Sequence, residues 1–418
     1  MARQLVLIPQ KKPGLPDKYE ERLQYRQWVT PQSLVGAPIH RWFVFPHSFG
    51  RDLVWELIDE WGLGTEDHIL DPFVGAGTTL LAAKQRGIPA TGVDLSPFAA
   101  FVSRTKLMDY DPDELLKAQK IIIARFMQNP YPPVQEGDAF LRKCFTPEVY
   151  QGLMALKAAI LAETDENVRD FFLLGLLAIL SGFSLAVRDG GWLRWQHRKI
   201  DANDIFPRFE ARVSSMISDM RLTTFPPLTP DYRVLIGDAR NLDLNEKYSA
   251  VITSPPYPNR HDYSRIFNVE LSFAFLNDSE VKELRHQSFR SHVEASKYKE
   301  YDTSVLPASL MNLINKLKEK KIDRRVPPML MGYFQDIYHT LISIKSVLVS
   351  GAKLAFVVGN VRYRGEMVEV DEILAHLAIK AGYEWLKTWI VRYRGNSAQQ
   401  MGIFGRAAAR ECIIILQN

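Results

Sequence analysis

The sequence predicts an α/β fold built on a Rossmann-like sheet and interrupted by two insertions. Three observations predict it. A strand, a glycine turn and a helix open at Ile69; a second strand ends on an acid, Asp94; and a third, buried strand, Tyr248 to Ile252, runs into Thr253-Ser254-Pro255-Pro256-Tyr257. Strands that alternate with helices argue for parallel pairing, and ligands of such sheets lie beyond the carboxyl ends of the strands.

The chain has 418 residues, 46% hydrophobic and 24% charged, ordinary values for a soluble globular protein. That length allows one large domain with insertions, or two to three domains. A formal charge of +4 suits a polyanionic partner without demanding one. Cys144 and Cys412 stand far apart, and no Cys-x-x-Cys or His-x-x-x-His pattern occurs. A disulfide framework is excluded, no zinc or other metal is expected, and a reducing compartment is implied. Met1 to Pro31 is polar, basic and proline-punctuated, unlike a secretory signal. Phe171 to Val187 is an apolar run of about seventeen residues, near the lower limit for a membrane span, yet it holds Gly175, Gly182 and two serines. It reads as a buried helix of an inserted layer, with no membrane involved.

In the first motif, Asp71-Pro72-Phe73-Val74-Gly75-Ala76-Gly77-Thr78-Thr79, the glycines let backbone approach a ligand, and the helix that begins at the threonines offers free N–H groups. Asp94 follows about twenty residues on, the spacing of a carboxylate that grips ribose hydroxyls. Leu80 stands where a dinucleotide fingerprint has its third glycine, and no Gly-Lys-Ser/Thr is present for a triphosphate. The ligand is therefore an adenosine-type cofactor without phosphates to cradle, and a nucleoside sulfonium fits. In the other motif two prolines cannot extend a ladder, so the chain leaves the sheet in a stiff conformation. This fixes a serine hydroxyl, a proline carbonyl and a tyrosine ring at the sheet's edge. An isolated Pro-Pro-Tyr would be a stiffened turn; the glycine motif upstream argues for chemistry.

Together, Asp-Pro-Phe-x-Gly-x-Gly-Thr-Thr, Asp94, Gly237-Asp238-Ala239-Arg240 and Ser-Pro-Pro-Tyr resemble the amino-group DNA methyltransferases, over residues 38–110 and 231–275 and more loosely from Tyr333 onward. The resemblance implies a class I methyltransferase sheet, S-adenosyl-L-methionine as cofactor and double-stranded DNA as partner. It leaves open a cognate restriction endonuclease, and it implies a cytoplasmic, nucleoid-associated enzyme. It makes Ser254, Pro255, Pro256 and Tyr257 the catalytic candidates. The cofactor candidates are Asp71, Pro72, Phe73, Gly75, Gly77, Thr78, Thr79, Asp94, Leu95, Asp238 and Ala239, with Asp238 near the adenine amino group. Phe45 and Phe49 fit a wall at the methionine end, and fit ordinary core packing equally well. Ser-Pro-Pro-Tyr, rather than Asp-Pro-Pro-Tyr, goes mostly with N4 of cytosine, so the expected target is a flipped-out cytosine, with N6 of adenine the runner-up. An RNA base methyltransferase shares this chemistry. A catalytically silent, cofactor-dependent DNA-binding protein would explain the glycine motif only, and a nicotinamide enzyme is disfavoured by Leu80.

In chain order, 1–37 is expected to be an irregular arm containing the solvated turn Lys11-Lys12-Pro13-Gly14, and 38–110 the first, cofactor-binding part of the methyltransferase domain. Within it a helix spans about Arg51 to Trp61, and strand, turn and helix (Thr79 to Arg86) lead to Ser96-Pro97, a serine cap with proline in the first turn. Residues 111–230 read as a mainly helical insertion, with helical periodicity over Glu114 to Phe126, Pro147 to Ala162 and Asp165 to Val187. There, Arg188 to Lys199 interleaves basic residues with tryptophans after Gly190-Gly191, making Arg194, Arg198 and Lys199 candidate nucleic-acid contacts. A solvated basic loop is the plainer alternative. Residues 231–276 form the catalytic part. Behind its motif, Arg260, Asp262 and Tyr263 suit pocket lining or capping and ion pairing equally; Arg260 is also a candidate nucleic-acid contact. Residues 277–330 are a basic insertion, Lys316 to Arg325 most of all, where target recognition is placed. Residues 331–418 complete the domain: a helix over Tyr333 to Val349, a strand Lys353 to Asn360, a helix Val370 to Ala381, strands Trp385 to Tyr393 and Cys412 to Leu416, and a basic loop from Arg392 to Arg406. No recognition domain follows the last strand, which puts recognition in the two insertions.

Overall fold

The computed structural model describes residues 17–131, 138–226, 231–295, 302–395, 405 and 407–418. The turn at Lys11 to Gly14 and most of the basic loop before Arg406 lie outside them. A short strand β1 (Tyr19–Glu21) and helix α1 (Gln32–Val35) precede helix α2 (Arg51–Trp61), β2 (Ile69–Asp71), α3 (Thr78–Lys84), β3 (Ala90–Asp94) and α4 (Pro97–Leu107). Next come α5 (Pro112–Gln128), α6 (Ala139–Cys144), α7 (Pro147–Leu161), α8 (Glu166–Phe183), a hairpin of β4 (Ala186–Asp189) and β5 (Trp192–Trp195), and α9 (Ile205–Leu222). The sheet resumes with β6 (Tyr232–Ile236) and β7 (Tyr248–Thr253). Helices α10 (Tyr263–Ile266), α11 (Asn268–Ala274), α12 (Asp278–Gln287), α13 (Ala308–Glu319) and α14 (Val326–Ser346) then lead to β8 (Leu348–Gly359). A small hairpin of β9 (Val361–Tyr363) and β10 (Glu366–Val368), helix α15 (Val370–Lys380) and strands β11 (Glu384–Arg394) and β12 (Ala409–Gln417) follow.

Helices start where local chemistry starts them. Ser96, Asp111 and Thr146 accept N-cap hydrogen bonds, each with proline in the first turn behind it, and Asp165 caps α8. The long apolar helix ends at Phe183, and Ala186 and Val187 belong to the hairpin. Among the described residues no helix is long and apolar enough to cross a membrane.

The main sheet has eight strands in the order β1-β11-β12-β8-β7-β2-β3-β6. All pairings are parallel except those of β12, which runs against both neighbours. This is the expected Rossmann-like α/β sheet. The chain runs outward through β2, β3 and β6, then returns to place β7 beside β2, so the order reverses between those two strands. A ligand cleft belongs at that point. One part of the amino-terminal segment departs from the irregular arm expected: Tyr19 to Glu21 pair with Thr388 to Ile390 as the sheet's edge strand.

Alternation along the strands divides the core between the two faces. Ile69, Ala250, Ile252, Ala355 and Val357 face one hydrophobic cluster; Leu70, Val251, Leu354, Phe356 and Val358 face the other. The first cluster runs without a break into Leu115, Leu153, Phe171, Leu174 and Phe209, so the helices between α4 and β6 share the core of the cofactor-binding part. The second takes in Leu310, Ile314, Phe334 and Leu374 from α13, α14 and α15.

Candidate active site

Both motifs end at the switch point, β2 on Asp71 and β7 on Thr253, and a hydrogen bond joins them: Thr253 Oγ1 donates to Asp71 Oδ1 at 2.6 Å. The Phe73 amide donates to the same oxygen at 3.1 Å, which folds the turn back on the strand end. Asp71 is buried, and desolvation pushes its carboxyl up to about 6 against the hydrogen bonds from Thr253, Thr79 and Phe73; nearby Asp94 adds to the rise.

Asp94 holds the glycine turn from the neighbouring strand. Its Oδ2 accepts from the Gly75 amide at 3.0 Å and its Oδ1 from the Ser96 amide at 2.9 Å. A carboxylate has about four acceptor positions, so each oxygen keeps capacity for a ligand hydroxyl. Burial raises this carboxyl too, opposed by the backbone donors.

A cavity of about 180 Å³ opens over these strand ends. Asp71, Pro72, Phe73, Gly75, Thr78, Asp94, Leu95, Asp238, Ala239, Phe45 and Phe49 line it, as do Ser254, Pro255, Pro256 and Tyr257. Gly77 and Thr79 are not in its lining. At Gly77 (φ +79°) a Cβ would come within 3.1 Å of Ser103 on α4, so this glycine serves helix packing and a left-handed turn rather than ligand approach. Thr79 is fully buried and donates to the Ile252 carbonyl at 3.1 Å, tying α3 to β7. Phe45 lines the cavity and also packs on Phe267 and Phe98, with ring centroids 4.3 and 5.7 Å away.

Beyond β6, Asp238 is gripped by Arg240, whose Nε lies 2.9 and 3.0 Å from its two oxygens. Arg240 also reaches Asp336 and the Gln287 carbonyl, so its charge is spent within the protein. The cavity thus offers carboxylates and aromatic walls, and its lining arginine is already paired. That set fits a nucleoside bearing hydroxyls and a cationic amino-acid tail.

At the Ser-Pro-Pro-Tyr motif the Ser254 hydroxyl donates to the Val357 carbonyl of β8 at 3.1 Å, which commits its proton and leaves its oxygen to act as an acceptor. Tyr257 is partly buried; desolvation, with help from Glu411, raises its phenol above the usual range, while Arg394 and the Ser254 side chain oppose the rise. The Arg394 guanidinium lies over the ring, 5.8 Å from its centroid. Gly359 makes the fit possible, since a Cβ there would fall 3.1 Å from the Tyr257 ring and 2.7 Å from Arg394.

The segment behind the motif resolves its two readings residue by residue. Tyr263 lines the cavity. Asp262 caps α10 and pairs with Arg285 at 2.9 Å. Arg260 sits at φ +70°, held by its amide to the Ser291 carbonyl, and its guanidinium is 3.5 Å from Asp323. The basic residues proposed for nucleic acid are partly engaged: Arg194 pairs with Asp189 at 2.8 Å, and Arg198 donates to the Ser181 and Ser184 carbonyls at the end of α8. Lys199 is exposed. In the basic insertion Lys320 pairs with Glu366 and Arg325 with Asp323.

Sequence reasoning missed three contributors. Lys106, buried in α4, donates to the carbonyls of Phe43 at 2.7 Å and Ala76 at 3.0 Å, clamping the aromatic wall to the glycine turn; burial brings its amine down to about 7. His47 and His261 meet at 3.2 Å beside the motif, and His261 is pushed down to about 4 by burial, by His47 and by Arg394. Ser288, Ser291 and His292, from the second insertion, close one wall. None of these carried a visible signal: Lys106 shares its helix with Arg104, Ser103 and Thr105, and nothing in the sequence marks it out.

No family model matches the chain. It is 29% identical to the type II methyltransferase M.BsoBI of Geobacillus stearothermophilus, across 94% of this chain and 88% of that protein. It is 28% identical to the type II methyltransferase M.AvaI of a Nostoc species, across 93% and 88%. Over nearly its whole length this chain is similar to type II methyltransferases. Its acceptor-rich, aromatic cavity is suited to a nucleoside cofactor. A 51-residue stretch is 45% identical to the type II methyltransferase M.MjaII of Methanocaldococcus jannaschii, covering 12% of this chain and 10% of that one. Among solved structures the glycopeptide N-methyltransferase MtfA with S-adenosylmethionine aligns over 88% of this chain and 86% of its own, at 8% identity and a TM-score of 0.30. Among the described residues no group of three His, Cys, Asp or Glu side chains is placed to hold a metal ion.

Proposed function

We propose that this DNA methyltransferase homologue modifies the exocyclic N4 of a cytosine turned out of double-stranded DNA. The observation that carries the reading is the Ser254 hydroxyl, committed as a donor to Val357 and so presented as an acceptor at the cavity wall. When bound, S-adenosylmethionine supplies a sulfonium methyl group that is already a good electrophile.

The residues must therefore prepare the nitrogen. The lone pair of a base's exocyclic amine is delocalised into the ring. Hydrogen bonds from its two protons to Ser254 Oγ and the Pro255 carbonyl favour a pyramidal nitrogen with a localised lone pair. Pro256 contributes no N–H of its own, and the two prolines keep the pair of acceptors rigid. Holding nitrogen and methyl in line is worth up to roughly 7–11 kcal/mol. Tyr257 offers the extruded base a stacking face, a contact worth about 1–3 kcal/mol. Asp94 would take the ribose hydroxyls, Asp71 the amino-acid end, and Asp238 with Ala239 the adenine. Recognition is placed in the insertions at 111–230 and 277–330, the second of which supplies a wall of the cavity. A cognate restriction endonuclease would be a partner through a shared DNA site, in a cytoplasm where the substrate is the nucleoid.

The test is to methylate DNA with the purified chain, digest it to nucleosides and compare the product by mass with N4-methyldeoxycytidine and N6-methyldeoxyadenosine. N4-methyldeoxycytidine is expected. N6-methyldeoxyadenosine alone would overturn the choice of base and keep the mechanism; transfer to RNA alone would overturn the DNA assignment.

A further inference from the structure

The β4–β5 hairpin brings an exposed aromatic side chain beside the catalytic loop. Its strands pair in register, Asp189 opposite Trp192 and Arg188 opposite Leu193, across the Gly190-Gly191 turn with Gly190 at φ +61°. Alternation gives the hairpin two faces. On the inner one, Leu193 packs against the core and Arg188 donates to the Ile266 carbonyl and pairs with buried Glu270. On the outer one stand Trp192 and the Asp189–Arg194 ion pair. The inner anchoring fixes the hairpin; the outer face is left to solvent.

Trp192 is 60% exposed, and an amphipathic ring of this kind is enriched where a surface meets a partner. Its neighbour in the turn locates that partner. A Cβ at Gly191 would lie 2.7 Å from the His261 ring and 3.0 Å from its Cα, so the turn is seated on His261. His261 in turn meets His47, which lines the cavity with Ser254 to Tyr257. The hairpin tip therefore stands at the side of the opening through which a base must enter. With Arg194 neutralised by Asp189, the outer face is suited to an apolar surface rather than to phosphates. Inside a duplex, that surface is the face of a base pair.

We propose that Trp192 is the positioning residue that enters the helix stack and occupies the space left by the target base. This rests on the DNA methyltransferase reading above. Proteins that open a duplex commonly insert an apolar wedge, and extrusion costs least when the base is already mispaired. A wedge is therefore needed most on fully paired DNA.

The experiment compares the wild-type chain with Trp192→Ala and Trp192→Phe on two duplexes carrying the modified position, located first by sequencing methylated plasmid DNA. One duplex is fully paired and the other mispaired at the target. For Trp192→Ala, kcat/KM on the paired duplex should fall at least about tenfold. On the mispaired duplex it should stay within about threefold of wild type, and Trp192→Phe should recover most of the loss. Affinity for S-adenosylhomocysteine should not change, which also checks folding. Unchanged activity on the paired duplex overturns the proposal, as does an equal loss on both duplexes. A shift in the sedimentation of the free protein with activity retained would make Trp192 a contact between copies of this chain, and likewise overturn it. Failure of the wild-type chain to methylate any DNA would count against the DNA methyltransferase reading itself.

Discussion

The two ends of the cavity are built differently. At the cofactor end, the turn and strand ends of 71–96 are fastened largely within that one stretch, by the Gly75 and Ser96 amides to the Asp94 carboxylate and the Val74 amide to the Val93 carbonyl, while Phe45, Phe49, Asp238 and Ala239 add walls from elsewhere. At the target end, 254–263 is a loop fastened from afar. Val357 receives Ser254, Tyr363 donates to the Pro258 carbonyl at 2.6 Å, Ser291 receives the Arg260 amide, and Gly191 backs His261. A site made locally has its geometry dictated by strand ends and glycines. A site braced by four distant segments has its geometry set by tertiary packing at each brace.

The sharpest way to break this comparison is to remove the target end's chemistry and leave the cofactor end alone. Ser254→Ala should lower kcat by at least about 100-fold, the usual loss for a positioned polar group acting in the transition state. S-adenosylhomocysteine affinity should stay within about twofold, measured by calorimetry. A matching loss of affinity would mean that the two ends are one unit.

The converse change is Gly77→Val. The turn's left-handed backbone and the approach of Ser103 predict a loss of global stability of about 2–4 kcal/mol in urea unfolding. A variant that unfolds like wild type but binds cofactor poorly would return Gly77 to the ligand's path. At Asp94, replacement by alanine removes both the hold on Gly75 and the proposed ribose acceptor. Cofactor affinity should drop about tenfold to 100-fold, as for loss of a charged hydrogen bond. Unchanged affinity would sink the assignment.

This difference also decides what could be read from the sequence. The glycine turn, the acid after β3 and Ser-Pro-Pro-Tyr were legible because each works through backbone constraints that specify residue type: a left-handed φ, a missing N–H, a strand end. The central strands were legible as short, buried apolar runs that alternate with helices. Lys106 was not, since its role depends on Phe43 and Ala76 carbonyls brought together only by folding. Gly359 gave no signal either, because its neighbours Tyr257 and Arg394 come from two other segments. Arg194 and Arg198 looked like phosphate contacts because a basic run carries no sign of which charges the fold will use internally; here Asp189 and the end of α8 take them. The edge strand at Tyr19 was invisible because three polar residues on a sheet edge have no alternation to show.

The smallest expected effect sharpens the comparison at the seam between the ends, Asp71. Its folded-state value of about 6 lies above the ordinary 3.8 because burial disfavours the ion. In the free protein this group's contribution to stability is fully present below pH about 4 and declines as pH rises through about 6. Pairing with the cationic amino group of the cofactor reverses the preference, since the bound state favours the ionised carboxylate. Cofactor affinity should therefore fall as pH falls through 6, by about tenfold between pH 7 and pH 5, or about 1.4 kcal/mol. Asp71→Asn keeps an oxygen for Thr253 and Phe73 but cannot ionise, so its affinity should be lower at pH 7 and flat across that interval. Calorimetry with S-adenosylhomocysteine at pH 5, 6 and 7 measures both chains. A wild-type profile as flat as that of the variant would mean that Asp71 only fastens β2 to β7 and takes no part in holding the cofactor.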